Sequence, residues 1–338
     1  MAVQTSGALS ARALVAALAD GQVHSGEALA ASLGVSRAAV WKAIERLRSD
    51  GIAVAALPRR GYQLERAIEL LEETRLVEPI APARRSLLRR LTLPFETDST
   101  NTRLLEAGPP PLGMADACSA EIQRAGRGRR GRSWLAPFGD AIALSTAWQF
   151  AAMPRDLPSL GLAAGVVIAR ALQLGGARGI GLKWPNDLWL GTAKLGGILV
   201  DLRAEADGPV HVVIGVGVNL RLSPAARASI QRTGVRAAAL ADACERPPSR
   251  NRIAGLMLDG LLDLLERFER EGFAPYRERW AELDVLAGRR AVVVGTDERV
   301  AGIARGIAAD GALRLECDGA VRRFLSGDVS LRLEEDLR

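Results

Sequence analysis

Residues 36–51 specify one helix so completely that they restrict the whole N-terminal region. Ser36 can cap it, because a serine oxygen accepts a bond from an otherwise orphaned first-turn N–H. Val35 and Val40 occupy the two positions of a hydrophobic staple. Val40, Ile44 and Leu47 form one apolar stripe, and Gly51 suits the left-handed residue that ends a helix. Two shorter helices precede it. Ser10 starts the first, with Leu14 and Leu18 at i, i+4, and Ser25 starts the second, which runs to Leu33 and turns at Gly34. The apolar run Ile52–Leu57 then meets Tyr62-Gln63-Leu64 across Pro58-Arg59-Arg60-Gly61, a hairpin with a basic tip. Residues 1–64 therefore read as a winged helix-turn-helix. In that motif the start of the third helix faces base edges in the major groove, which makes Ser36, Arg37, Ala38 and Lys42 candidate DNA contacts. The wing residues Arg59 and Arg60 suit phosphates, where contacts add affinity without sequence information. A three-helix bundle used for protein contacts is the alternative.

A chain of 338 residues exceeds one ordinary compact domain. Residues 65–91 read as a helical, charge-rich connector holding Pro79, Pro82 and the cluster Arg84, Arg85, Arg89 and Arg90. Residues 92–285 alternate strand-like runs (Ala141–Trp148, Gly197–Leu202, Val210–Val218) with helical ones (Leu157–Leu174, Arg252–Arg270), the pattern of an α/β domain. From 286 to 338, the short runs Ala291–Val294, Leu313–Glu316 and Val329–Leu333 are separated by turns at Gly295, Asp310-Gly311, Asp318-Gly319 and Gly327-Asp328. That spacing suits a small β-barrel.

Composition narrows the chemistry. No run reaches the ~18 uninterrupted apolar residues that span a membrane, and no basic segment leads into an apolar one at the N-terminus. A soluble, cytoplasmic protein is expected. Cys118, Cys244 and Cys317 are far apart and odd in number, which argues against a disulfide framework or a zinc site. With only His24 and His211, a histidine metal site or a Ser-His-Asp triad has little support. A metal, if used, would be Mg²⁺ brought in by a phosphate substrate. The net charge of +6 favours an anionic partner. Among 45 Lys plus Arg, only Lys42, Lys183 and Lys194 are lysine. In so arginine-biased a chain, surviving lysines mark places where arginine does not serve, and two of the three are close neighbours.

Those two lysines lie in the most motif-dense stretch. Gln123–Arg132 carries three glycines and five arginines. The glycines free the backbone to curl round a ligand, and the guanidinium forks match phosphate or carboxylate. Such a loop is expected to order on binding an anion. Taken alone, the string fits equally a solvated loop or an RNA-binding RGG-like segment. Lys183-Trp184-Pro185-Asn186-Asp187 is either the wall of a pocket for a flat, polar-edged ligand or an ordinary turn. Lys194-Leu195-Gly196-Gly197 puts an ammonium at a strand entrance, where it can meet an anion or simply face solvent. In Ile214-Gly215-Val216-Gly217-Val218-Asn219, glycine at alternate positions strips one face of a strand. Either a ligand or a second protein layer would lie against that bare backbone.

In order along the chain, Thr97-Asp98-Ser99-Thr100-Asn101, the Gln123–Arg132 loop, Lys183–Asp187, Lys194–Val200 and Ile214–Asn219 resemble the catalytic core of biotin protein ligases. His24-Ser25-Gly26-Glu27 and Ser36-Arg37-Ala38-Ala39-Val40 resemble the bifunctional members that also repress the biotin operon. The resemblance implies a winged helix-turn-helix, an α/β (α+β) catalytic core and a C-terminal SH3-like β-barrel. It implies ATP, Mg²⁺ and biotin as ligands. The partners it implies are the biotin carboxyl carrier protein of acetyl-CoA carboxylase, operator DNA and a second copy in a ligand-promoted homodimer; no membrane is implied. Ser99, Thr100, Asn101 and Gln123 would meet biotin, with Gly126, Gly128, Gly197, Gly215 and Gly217 as backbone surface. Arg127, Arg129, Lys183 and Lys194 would be catalytic, near the carboxyl and α-phosphate. Arg130, Arg132, Trp134, Asn186, Asp187 and Asn219 would lie on the nucleotide side. Asp201 stands where the family often has glutamate, and Arg322-Arg323-Phe324 is unusually basic for the barrel. A lipoate-type ligase and a non-enzymatic ligand-sensing repressor are the competing expectations.

Overall fold

The computed structural model describes residues 9–204, 208–232, 234–246, 249–295, 298–325 and 330–333. Contacts divide the chain into two units, Met1–Leu70 and Leu71–Arg338.

The first unit is three helices, α1 (Ala11–Leu18), α2 (Gly26–Leu33) and α3 (Arg37–Ser49), followed by the hairpin of β1 (Val54–Leu57) and β2 (Gly61–Leu64). The Ser25 hydroxyl accepts from Ala28 N at 3.0 Å and Ser36 from Ala39 N at 3.2 Å. Ser10 sits at the N-cap of α1, but its side chain makes no cap bond, contrary to the reading of a third serine cap. Leu14, Leu18, Leu29, Val40, Ile44 and Leu47 are buried, so the predicted stripes do form the core. Gly61 closes the hairpin where no side chain fits: with φ at 129°, a β carbon there would lie 2.0 Å from His24 O.

The second unit is built on a seven-stranded sheet. Its elements begin with α4 (Glu73–Val77), α5 (Pro82–Arg85), β3 (Leu88–Thr92), β4 (Glu96–Thr97), α6 (Thr100–Glu106), β5 (Ala115–Ser119) and β6 (Ile122–Gln123). They continue with β7 (Ala141–Phe150), α7 (Leu160–Leu174), β8 (Ile180–Lys183), β9 (Asp187–Leu190), β10 (Ala193–Ala204), β11 (Val210–Asn219), α8 (Pro224–Gln231), α9 (Arg250–Glu271) and α10 (Arg277–Leu283). The sheet order is β3-β5-β7-β11-β10-β9-β8, antiparallel except for the β3–β5 pair.

The segment read as connector thus contributes the edge strand β3. Leu88-Arg89-Arg90-Leu91-Thr92 has no long apolar run to announce a strand. Its arginines are held by acids and carbonyls: Arg89 and Arg90 reach the buried Asp116 at 2.8 and 2.6 Å, Arg84 pairs with Asp259 at 2.7 Å, and Arg85 donates to Ile80 O.

Strand alternation sorts the two faces of the sheet. On β11, Val210, Val212, Ile214, Val216 and Val218 point into the main core with residues of α7 and α9. The opposite face carries Val213, packed with Ala147, Leu104 and Leu105 of α6, and both glycines. The stretch Leu157–Leu174 has a mean hydropathy of 1.5, yet 67% of it is buried inside the protein, as expected of a core helix.

The chain ends in a five-stranded antiparallel sheet: β12 (Arg290–Val294), β13 (Arg299–Ile307), β14 (Leu313–Cys317), β15 (Ala320–Phe324) and β16 (Ser330–Leu333), in the order β15-β14-β13-β12-β16. β13 and β15 were not legible, since arginine and glycine interrupt their apolar positions. The expected turn at Gly327-Asp328 and Val329 lie outside the described residues. Arg322 pairs with Glu298 and Arg323 with Asp310, which accounts for two of the barrel's arginines.

Asp284, just after α10, is half-buried, and its Oδ2 atom is buried and unpartnered among the described residues. Burial pushes its carboxyl up to about 6, against a single opposing bond from Leu286 N. A raised folded-state value favours folding of the protonated form, so this contribution is full in acid and is lost as pH rises through about 6. Asp284→Asn should therefore gain stability over the parent at pH 7 and converge with it near pH 4. Paired thermal melts across that range check the result, and a constant difference between the two curves would contradict it.

Candidate active site

Register explains why small residues gather on one face. Gly197 pairs with Gly217, which pairs with Ala143; Leu199 pairs with Gly215, which pairs with Ser145. These rows form a shallow floor. A β carbon at Gly215 would lie 2.0 Å from Asn101 Oδ1, and one at Gly217 would lie 2.4 Å from the Trp134 ring. Side chains of the protein thus occupy the bared face of β11, the second-layer alternative left open by its sequence, with a cavity above them.

The cavity measures about 1090 Å³. Its walls bring together Ser99, Thr100, Asn101 and Gln123, the loop residues Arg127, Gly128, Arg129, Arg130 and Arg132 with Trp134, and the opposite side of Lys183, Asn186, Asp187, Lys194 and Asn219. Gly197, Gly215 and Gly217 line it too. Gly126 is the one predicted site residue of this domain outside the lining. It closes the arginine loop instead: Trp134 N donates to its carbonyl at 2.8 Å, and a β carbon on it would strike Trp134 O at 2.6 Å. Inside that pair, Gly128 N donates to Arg132 O at 2.7 Å, and Arg130 and Gly131 turn the tip with φ of 57° and 68°. The loop is a narrow strap rather than a random coil.

One polar network runs beneath the strap. Arg127 donates to Asp201 Oδ2 at 2.8 Å, and Asn101 Nδ2 donates to the same oxygen at 3.0 Å. Ser145 Oγ donates to Asn101 Oδ1 at 2.5 Å and lies 2.7 Å from Thr100 Oγ1. Gln123 Oε1 accepts from Thr100 N at 2.8 Å and from Thr100 Oγ1 at 3.1 Å. Ser99 caps α6 through a bond from Thr102 N. Ser145 went unremarked in the sequence because it sits inside an apolar strand. Asp201 stood out there only as an acid of unexpected length.

The lysine side is equally ordered. Lys194 and Gly197 are three apart, which would put them on opposite faces of a regular strand. A bulge between Lys194 and Gly196 reverses the alternation. Lys194 Nζ then meets Asp187 Oδ1 at 2.6 Å, 3.4 Å from where a Gly197 β carbon would be. Lys183, only 8% exposed, lays its ammonium 4.3 Å from the Trp189 ring centroid, an attraction of cation for π face. Asn186 is tied to β10 by its side chain, 2.7 Å to Ile198 O. Trp184 belongs to the cavity wall, as its neighbours in sequence suggested, but it is buried and its indole N–H is spent on Gly311 O at 3.1 Å, in the turn between β13 and β14. Ile230, Gln231, Val235 and Arg236 also line the cavity, with Lys194 N bonded to Arg236 O. No sequence signal marked that segment.

Three residues of the wall carry a buried polar atom with no partner among the described residues: the acceptor Asn219 Oδ1 and the donors Trp134 Nε1 and Trp189 Nε1. Leaving such atoms unmade is costly, so a ligand edge with a donor and an acceptor is the natural complement. No group of three or more His, Cys, Asp or Glu suited to a metal occurs among the described residues.

In the first unit, Arg37, Ala38 and Lys42 are exposed on α3, and Arg59 and Arg60 are exposed at the hairpin tip, while Ser36 spends its hydroxyl on the cap.

A two-ended anionic-ligand cavity under an arginine strap, in a chain that also carries a separate helix-turn-helix unit, defines a nucleotide-using enzyme with a DNA-binding module. Comparison narrows the class. The biotin/lipoate A/B protein ligase family matches residues 94–219, an HTH domain residues 11–63 and the biotin protein ligase C terminal domain residues 290–332. The bifunctional ligase/repressor BirA of Escherichia coli (strain K12) is 38% identical over 95% of this chain and 97% of its own length. The biotin--[acetyl-CoA-carboxylase] ligase of Paracoccus denitrificans is 34% identical over 65% of this chain and 91% of its own. A biotin protein ligase from Aquifex aeolicus, solved in complex with biotin and ATP, superposes with a TM-score of 0.60 at 25% identity, covering 73% of this chain and 100% of that one. The chain belongs to the biotin protein ligase family, in its bifunctional ligase/repressor group.

Proposed function

We propose that the chain activates biotin with ATP to biotinoyl-5′-AMP and transfers the acyl group to a lysine of the biotin carboxyl carrier protein of acetyl-CoA carboxylase. Its N-terminal unit binds operator DNA and represses biotin synthesis genes. The observation that carries the enzymatic reading is convergence: the strap's Arg127 and Arg129 and the rare ammonium groups of Lys183 and Lys194 all line one cavity.

Biotin supplies its own nucleophile. A carboxylate oxygen attacks the α-phosphorus of ATP, which arrives as its Mg²⁺ complex, and the α–β bridging bond breaks with its electron pair leaving on pyrophosphate. An uncharged lysine amine of the carrier then attacks the acyl carbon of the mixed anhydride and AMP departs. No protein nucleophile is required. The chain's part is to align reactants and to neutralise charge growing on phosphate oxygens. Arg127, Arg129, Lys183 and Lys194 take that part, Arg130 and Arg132 hold the phosphates, and Asn219 and Trp134 offer their unpaired atoms to the base. Ser99, Thr100, Asn101 and Gln123 hold the biotin ring, with Asn101 and Trp134 lying between it and the backbone of Gly215 and Gly217. Asp187, which holds Lys194 in the free protein, yields that ammonium to the incoming carboxylate.

We read the chain as a DNA-binding domain (1–64), a connecting segment whose end (88–91) joins the sheet as β3, a catalytic domain extending to 285 and a C-terminal barrel (286–338), acting in the cytoplasm. A ligand-promoted homodimer sets two winged helices on an inverted repeat.

Biotin-dependent exchange of labelled pyrophosphate into ATP tests the chemistry. Exchange that answers to lipoate but not to biotin would end the biotin assignment. Removal of residues 1–64 is expected to abolish retardation of operator DNA and to preserve this exchange. Retardation by the shortened chain would refute the winged-helix reading.

A further inference from the structure

We propose that Trp41 is a base-contacting residue of α3, using the apolar face of its indole against the C5-methyl group of a thymine in the major groove. The inference rests on the DNA-binding reading of the first unit and goes beyond it by naming the residue and the base feature it recognises.

The argument begins with the helix. α3 turns Val40, Ile44 and Leu47 into the core. At 3.6 residues per turn, Trp41 falls about 100° round from Val40, and its side chain remains 58% exposed. Trp148, Trp184, Trp189 and Trp280 are all buried, so an exposed indole is out of character for this protein. The exposed part of an indole contributes nothing to folding, since its stabilising value comes from removing apolar surface from solvent. Arg37 and Ala38 lie one turn earlier at i−4 and i−3, which are neighbours on a helix surface, and Lys42 follows; all three are exposed. The ring therefore stands at the start of the recognition helix, between cations suited to flanking phosphates, with Arg59 and Arg60 exposed at the hairpin tip of the same unit. Charge complementarity selects a polyanion as occupant. On the major-groove edge of DNA, the thymine methyl is the apolar feature, and apolar side chains read it. Arg37 and Lys42 satisfy phosphates and base acceptors, whereas Trp41 offers a broad apolar ring face besides its single N–H donor.

The test uses the full chain with biotin and ATP. A random duplex library is selected for binding, and each thymine of the recovered site is then replaced by deoxyuridine, which removes the methyl group alone. The parent is expected to lose affinity by about fourfold at one thymine of each half-site, the equilibrium weight of burying one methyl group. Trp41→Ala should bind more weakly overall and be indifferent to that replacement, with amide hydrogen-exchange protection across α1, α2 and α3 equal to the parent's confirming that the first unit is folded. If every deoxyuridine replacement affects parent and variant alike, Trp41 touches backbone or another partner and the proposal falls while the DNA-binding reading stands. If the parent selects no duplex, both fall together.

Discussion

Replacing Lys194 by arginine is expected to slow biotin adenylation by about 10²–10³-fold, the usual consequence of losing one donor aimed at transition-state charge, roughly 3–4 kcal/mol. Positive charge survives in the variant, so the loss would come from shape. An ammonium is a compact point charge on a flexible stem, whereas a guanidinium is a planar fork. Lys194 fits beside a strand bulge, with Nζ 2.6 Å from Asp187 Oδ1 and close over Gly197. A fork there would engage Asp187 with two donors and would not release it to a substrate carboxylate. The backbone of Lys194 is fixed independently, its N–H on Arg236 O and its carbonyl on Ala238 N, so the variant should melt like the parent. Pyrophosphate exchange and calorimetric melting, run side by side, separate the two effects. Normal turnover in the arginine variant would remove the special role given to the ammonium.

Loss of Arg250 should destabilise the second unit by about 3–5 kcal/mol, the usual result of stranding one member of a buried ion pair. Arg250 is 3% exposed and its partner Glu121 0%. Arg250 Nε also donates to Ala141 O at 3.0 Å, at the first residue of β7, and Glu121 Oε1 accepts from Leu71 N at 2.7 Å. The pair therefore ties α9 both to a central strand and to the start of the unit. Arg250→Ala leaves a buried carboxylate without its countercharge and should lower the melting temperature by about 10 °C, at about 2–4 °C per kcal/mol for a domain of this size. The double variant Glu121→Leu, Arg250→Met removes both charges, and such swaps are often close to neutral. Here recovery should be partial, because Leu71 N loses its bond to the Glu121 carboxylate and Ala141 O its bond from Arg250. A double variant no better than Arg250→Ala would mean that the bonds to backbone, and not the stranded charge, dominate.

Much of the architecture could be read from local pattern. The α3 cap, stripe and stop lie within sixteen residues, and each acts through neighbours in sequence, so their reading needed no knowledge of the rest of the chain. The central strands β7 and β11 showed themselves as largely apolar runs because both of their faces are covered, and β10 through its apolar stretch Ile198–Val200. Edge and surface strands escaped. β3, β13 and β15 interleave arginine with apolar residues, and their assignment depends on a neighbouring strand to pair with.

Side-chain chemistry was likewise declared by residue type: the arginines of the strap, two lysines kept against a bias for arginine, and glycines at every second position of a strand. Their partners were not. Asn101 reaches Asp201 and Ser145 and fills the space above Gly215, Trp134 covers Gly217, and Asp187 meets Lys194 only because a bulge reverses the strand's alternation. Local propensity and periodicity act over a few residues and so are written in the linear sequence. Which distant groups share a hydrogen bond depends on strand order and register, and one step of register would turn every one of these side chains to the other face.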